Sequence, residues 1–167
     1  MNEITLVLEV KSMLRRQGFD VWIFGGWAEE LRGISRMRNH GDIDLLMRDE
    51  DFNLLDEYVS SHPELETIPQ KTYSHKRAFY YKGVMIEVFL ISQTPQGLFT
   101  KFFDHFKYSW PQHTFDELYL HEGKVLHVVS TSALFQYRNT YALVKKARKK
   151  TKSLLFKIRK RLYKYSA

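Results

Sequence analysis

The chain has 167 residues, 44% of them hydrophobic and 27% charged, with no cysteine. That suffices for one globular domain with a small appendage, and it excludes disulfides, thiolate catalysis and cysteine-held metal. The net charge of +7 hides an asymmetry: Lys145 to Ala167 holds 11 of the 26 Lys and Arg and no acid, leaving 15 basic against 19 acidic residues, net −4, in the body.

From the N-terminus, Ile4, Leu6, Val7, Val10 and Leu14 recur at helical spacing, which predicts an amphipathic helix over residues 3–17 ending near Gly18. There is no basic n-region, and Glu3 and Glu9 interrupt the apolar residues, so this is not read as a secretory signal. No run reaches the roughly 18 apolar residues of a membrane span, and the absence of cysteine fits the cytosol, so a cytoplasmic protein is expected. Phe19 to Phe24 predicts a strand, Gly25-Gly26 a turn, Trp27 to Leu31 a short helix stopped by Gly33, and Ser35 to Gly41 a mobile basic loop. Ile43 to Met47 predicts a buried strand.

Asp49 to Ser61 predicts a second helix, with an acidic first turn that suits the helix dipole and an apolar stripe of Phe52, Leu55 and Val59; His62-Pro63 ends it. Lys76 to Tyr81 and Val84 to Ile91 predict a hairpin turning at Lys82-Gly83. Pro95 to Trp110, with Phe99, Phe102, Phe103, Phe106, Tyr108 and Trp110, predicts a helix or a loop packed over the core. Glu117 to Leu120 and Val125 to Val129 predict a hairpin around Gly123, and Ser130 or Thr131 caps a helix from Ser132 to about Lys150. Thr151 to Tyr165 predicts a further helix with Leu154, Leu155, Ile158, Leu162 and Tyr165 on one stripe. That stripe suits packing on the body or on a second subunit in a homodimer, while the basic face would alternatively serve nucleic acid or an anionic membrane.

The chemistry concentrates between Gly25 and Leu46. Side chains alternate along a strand, so Asp42 and Asp44 share a face and Ile43 points into the core. Two adjacent carboxylates repel unless a cation lies between them, and hard oxygen ligands completed by phosphate are the usual Mg²⁺ shell. A Gly-Gly turn brings backbone N–H groups close to a phosphate with no Cβ in the way. Glu87 shares a strand face with Met85, Phe89 and Ile91, and an acid in so apolar a strand is either exposed at a sheet edge or functional. Arg36 and Arg38 lie in a basic loop suited to clamping a triphosphate. His40 either contacts phosphate or orders the loop, and Glu29 and Glu30 either complement a helix dipole or bind a cationic acceptor. The seven histidines show no zinc-ligand spacing.

The run Gly25, Gly26, Trp27, Ala28, a carboxylate at Glu30, then Arg38, His40 and Asp42-Ile43-Asp44 resembles the nucleotidyltransferase superfamily with the DNA polymerase β-like fold. Within it the run is most similar to the aminoglycoside and lincosamide nucleotidyltransferases. It departs from them in having Glu30 where Asp is usual and one extra residue between Gly33 and Arg38, both bearing on substrate recognition. The resemblance implies an α/β (α+β) fold: a mixed twisted sheet flanked by helices, with a catalytic domain over residues 1–130 and a basic helical segment over 131–167. It implies transfer of a nucleoside monophosphate from a nucleoside triphosphate such as ATP to a hydroxyl of a small molecule, of which an aminoglycoside-type antibiotic is one candidate. On that reading Asp42, Asp44 and Glu87 are catalytic and hold Mg²⁺, two ions in all. Gly25, Gly26, Arg38 and His40 bind the nucleotide and Glu30 the acceptor. The alternative is a weakly active or inactive member whose basic tail binds nucleic acid, an anionic membrane or a protein partner.

Overall fold

The computed structural model describes the backbone of residues 4–164 and side chains as far as Leu154. Helix α1 (Ile4–Arg16) buries Val7, Val10 and Leu14 at i, i+3 and i+7, and Gly18, at φ +90°, turns the chain out of it. Strand β1 (Val21–Phe24) leads directly into α2 (Gly25–Leu31), which therefore starts two residues earlier than its apolar residues suggest. Strand β2 (Asp42–Arg48) follows the basic loop, and α3 (Asn53–Ser61) buries Leu55 and Val59.

Helix α3 begins later than the expected Asp49. The Asp51 carboxylate accepts a hydrogen bond from the Asn53 N–H at 2.8 Å, so the acidic residues form the turn before the helix rather than its first turn. A two-residue strand β3 (Glu66–Thr67) and a single 3₁₀ turn (Pro69–Lys71) precede β4 (Lys76–Tyr81) and the long β5 (Val84–Thr94).

The sheet order is β1-β2-β5-β4-β3, with β2 and β5 parallel and the other neighbours antiparallel. The far end of β5 carries a second hairpin, β6 (Gly97–Phe102) and β7 (Phe106–Ser109). The aromatic stretch is thus neither helix nor loop. Leu98, Thr100 and Phe102 alternate inward with period two, and Thr100 ties the hairpin down by donating to the Leu90 carbonyl at 2.7 Å and accepting from Trp110 Nε1 at 2.9 Å.

Strands β8 (Tyr119–His121) and β9 (Lys124–Leu126) form a shorter hairpin than expected. Residues 127–129 leave it to run along the free side of β1: Ile23 donates to His127 and Val129 donates to Ile23, at 2.8 and 3.0 Å. The Arg32 guanidinium staples the same segment, donating to the carbonyls of Glu117, Leu118, Val128 and Val129. This fixes where α4 (Thr131–Lys164) departs, its first turn capped by Ser130 Oγ, which accepts from the Ala133 N–H at 3.4 Å.

Helix α4 is continuous where two helices were expected, since neither Gly nor Pro interrupts it. Leu134, Val144 and Ala147 are buried, and Leu154, first of the expected tail stripe, is exposed; Leu155, Ile158, Leu162 and Tyr165 lie outside the described residues. Among the described residues no helix is long and apolar enough to cross a membrane.

Candidate active site

The parallel pairing of β2 with β5 sets Asp42 opposite Met85 and Asp44 opposite Glu87. Because the register is even, all three carboxylates emerge from one face, and their ligand oxygens lie within 4.8 Å of one another. Glu87 belongs to a central strand and is only 7% exposed, so it is not an edge residue. Phe24, the last residue of β1, is the antiparallel partner of Asp44, which brings the following glycine turn over the cluster.

Both glycines are required by what surrounds them. Gly25 has φ +61°, and a Cβ there would overlap the Asp44 carboxylate. A Cβ on Gly26 would come within 2.5 Å of the His40 ring and 3.1 Å of the Arg38 guanidinium. The turn is therefore packed against Asp44 on one side and the basic loop on the other.

His40 and Glu30 lie behind this turn. The His40 ring packs on Trp27 at 4.4 Å, and its Nε2 is 2.9 Å from the Glu30 carboxylate, which also accepts from the Arg38 backbone N–H at 3.3 Å. These contacts anchor the loop and turn the Glu30 carboxylate toward it, whereas Glu29 lines the open cleft. Arg36 is exposed and does not line the cleft.

The cleft, about 320 Å³, is lined by Gly25, Gly26, Arg38 and the three carboxylates, with Tyr137, Arg138 and Tyr141 of α4 forming the opposite wall. A smaller compartment of about 130 Å³ continues past Glu87 between His75, Phe103 and Val144. Tyr137 stacks on Trp110 at 5.6 Å and meets Phe24 edge-on at 4.9 Å, and burial followed by the nearby Asp44 charge pushes its phenol far up.

The carboxylates do not share one electrostatic state. Burial, then Asp42 and Glu87, pushes Asp44 up to about 8; Asp42 is also raised, by burial and by Glu87. Burial acts on Glu87 in the same sense but is outweighed by Lys76 and Lys71, which hold it below the usual carboxylate range. Lys76 Nζ lies 2.9 Å from Glu87 Oε2 and Lys71 Nζ 3.0 Å from Oε1.

Neither lysine stands out in the sequence as a site residue. Lys76 had one signal: it opens β4 opposite Phe89, two residues from Glu87 and on the same face. Lys71 had none, since it reaches the cluster from a turn outside the sheet. Tyr137, Arg138 and Tyr141 fall within the helix expected from Ser132 to about Lys150, and nothing in their local spacing ties them to the carboxylates.

A sequence model of the aminoglycoside-2''-adenylyltransferase family matches residues 6–154. No curated protein sequence matches the chain. Among solved structures, the lincosamide antibiotic adenylyltransferase LnuA with lincomycin bound superposes with a TM-score of 0.68 at 12% identity, over 90% of this chain and 98% of its own. ANT(2'')-Ia in complex with adenylyl-2''-tobramycin superposes with a TM-score of 0.58 at 17% identity, over 95% of this chain and 98% of its own. At these identities the likeness speaks for the fold.

Proposed function

The chain belongs to the aminoglycoside-2''-adenylyltransferase family, and from that premise we propose that it moves AMP from ATP to a hydroxyl of a small acceptor, releasing pyrophosphate. The observation that carries this reading is the facing of the Asp42, Asp44 and Glu87 carboxylates and the Gly25-Gly26 turn across one cleft. The cluster suits Mg²⁺: its donors are all hard oxygens, and burial, followed by the neighbouring Asp42 and Glu87 charges, pushes the Asp44 carboxyl up to about 8, a cost that a bound dication would relieve. When bound, Mg²⁺ would supply charge stabilisation to the reacting phosphate and the leaving pyrophosphate.

The chain's own groups divide the remaining work. The backbone of Gly25 and Gly26 and the Arg38 guanidinium take the phosphates. The His40–Glu30 pair holds Arg38's loop against the turn, so both act by positioning. Glu87, kept ionised by its lysines, accepts the acceptor's hydroxyl proton as the oxygen–phosphorus bond forms and the bond to pyrophosphate breaks. Residues 1–130 supply this machinery, and residues 131–167 supply the Tyr137–Tyr141 wall.

Lincomycin and adenylyl-2''-tobramycin, bound by LnuA and ANT(2'')-Ia, make hydroxylated antibiotics of those two kinds the first acceptors to try. The test incubates the full chain with α-labelled ATP, Mg²⁺ and such a panel. Adenylylated acceptor and stoichiometric pyrophosphate are expected. ATP that neither binds in a Mg²⁺-dependent way nor turns over with any acceptor would remove the reading.

A further inference from the structure

The carboxylate cluster contains two ammonium groups, and the adenylyl-transfer reading uses them only to keep Glu87 ionised. Lys76 is built in: its side chain is 11% exposed, and its Nζ lies 5.4 Å over the Phe89 ring and 5.8 Å over the Tyr73 ring while holding Glu87 Oε2. Lys71 comes from the 3₁₀ turn, which is tied to β4 by the Ile68 N–H donating to the Ala78 carbonyl at 2.8 Å. Its Nζ lies 3.0 Å from Glu87 Oε1 and 3.0 Å from Met85 Sδ. Met85 and Glu87 are the register partners of Asp42 and Asp44, so Lys71 stands over the side of β5 that faces both aspartates.

We propose that this site binds one divalent cation rather than two, because the Lys71 ammonium occupies the second cation position on Glu87. The inference rests on the adenylyl-transfer reading of the same cluster. Both Glu87 oxygens already have cationic partners, one each. Asp42 and Asp44, side by side on β2, suit a single dication coordinated with the nucleotide phosphates. A second dication would have to share Oε1 with an ammonium 3.0 Å away, where like charges repel. Of the two lysines, Lys71 is the one a substitution can remove with less disturbance of the core, since 35% of its side chain is exposed against 11% for Lys76. It supplies fixed positive charge beside the proton acceptor and positions the Glu87 carboxylate.

The test counts ions instead of turnover. Crystals of the full chain grown with a non-hydrolysable ATP analogue and Mn²⁺ are measured at an anomalous wavelength, for the wild type and for Lys71→Met, with a melting curve confirming that the variant is folded. One Mn²⁺ per chain in the wild type and two in Lys71→Met is the expected result. Two in the wild type would overturn the inference and leave the adenylyl-transfer reading standing. One in both proteins would also overturn it, since Lys71 would not be what excludes the second ion. None in either would remove the adenylyl-transfer reading, and the inference with it.

Discussion

Asp42 and Asp44 on β2 and Glu87 on β5 sit within 4.8 Å of one another, yet the two strands hold their carboxylates in opposite electrostatic states. The β2 pair is pushed up, Asp44 to about 8, because burial and mutual repulsion dominate. Glu87 is pulled down, although burial opposes it, because Lys76 and Lys71 bond directly to its oxygens. The difference shows that proximity alone does not make a uniform cluster: an ammonium within 3 Å decides one half, and desolvation decides the other. Glu87 carries an ammonium group on each of its oxygens.

The strongest way to break the comparison is to remove the pair on β2. Asp42→Asn or Asp44→Asn should lower kcat/KM by roughly 10³-fold or more while leaving circular dichroism unchanged. Near-wild-type turnover in either variant would mean that β2 does not hold the ion. On the β5 side, Glu87→Gln should lower kcat by about 10²–10⁴-fold, the usual worth of a positioned base, with nucleotide affinity retained better than in Asp42→Asn. Retained activity with an unaltered pH–rate profile would make Glu87 a structural residue.

The lysine side can be sharpened through stability. Lys76→Met leaves the buried Glu87 charge without its closer cation and should cost on the order of 3 kcal/mol in urea unfolding. Adding Glu87→Gln should recover part of that loss, because the uncompensated charge is gone; purely additive losses would mean that the pair is not coupled.

The smallest effect concerns the pH dependence of the metal-free protein. Asp44 has a folded-state value of about 8 against an ordinary 3.8, so the folded chain binds its proton more tightly than the unfolded chain. The stability this contributes is complete below about pH 4 and is lost as pH rises through about 8. Asp44→Asn removes that loss. Its melting temperature should exceed that of the metal-free wild type by about 5 °C at pH 8 and by much less at pH 5. Saturating Mg²⁺ should stabilise the wild type and narrow or reverse the difference at pH 8.

Local periodicity determined a large part of this protein. Alternation placed Asp42 and Asp44 on one face and Ile43 in the core, the stripe of Val7, Val10 and Leu14 made α1, and Lys82-Gly83 turned the β4–β5 hairpin. The need for glycine at positions 25 and 26 was legible as a tight turn, though the neighbours that impose it, Asp44 and His40, were not. In the aromatic stretch the closely spaced rings of Phe99, Phe102, Phe103 and Phe106 mask the period-two pattern of Leu98, Thr100 and Phe102 that makes it a strand.

Tertiary structure decided the rest. β2 and β5 are separated in the chain by α3, β3, the 3₁₀ turn and β4, and no local pattern sets the register that puts Asp44 beside Glu87. A slip of one residue would have turned Glu87 to the other face with every local signal unchanged. The same holds for Lys71, which reaches Glu87 from 16 positions away, and for the Tyr137 wall, whose approach depends on the Arg32 staple to residues some 97 positions along the chain. Side-chain periodicity reports which face a residue occupies, whereas the partner across that face is set by how distant segments pack, and at this site the partner decides whether a carboxylate is raised, lowered or turned away.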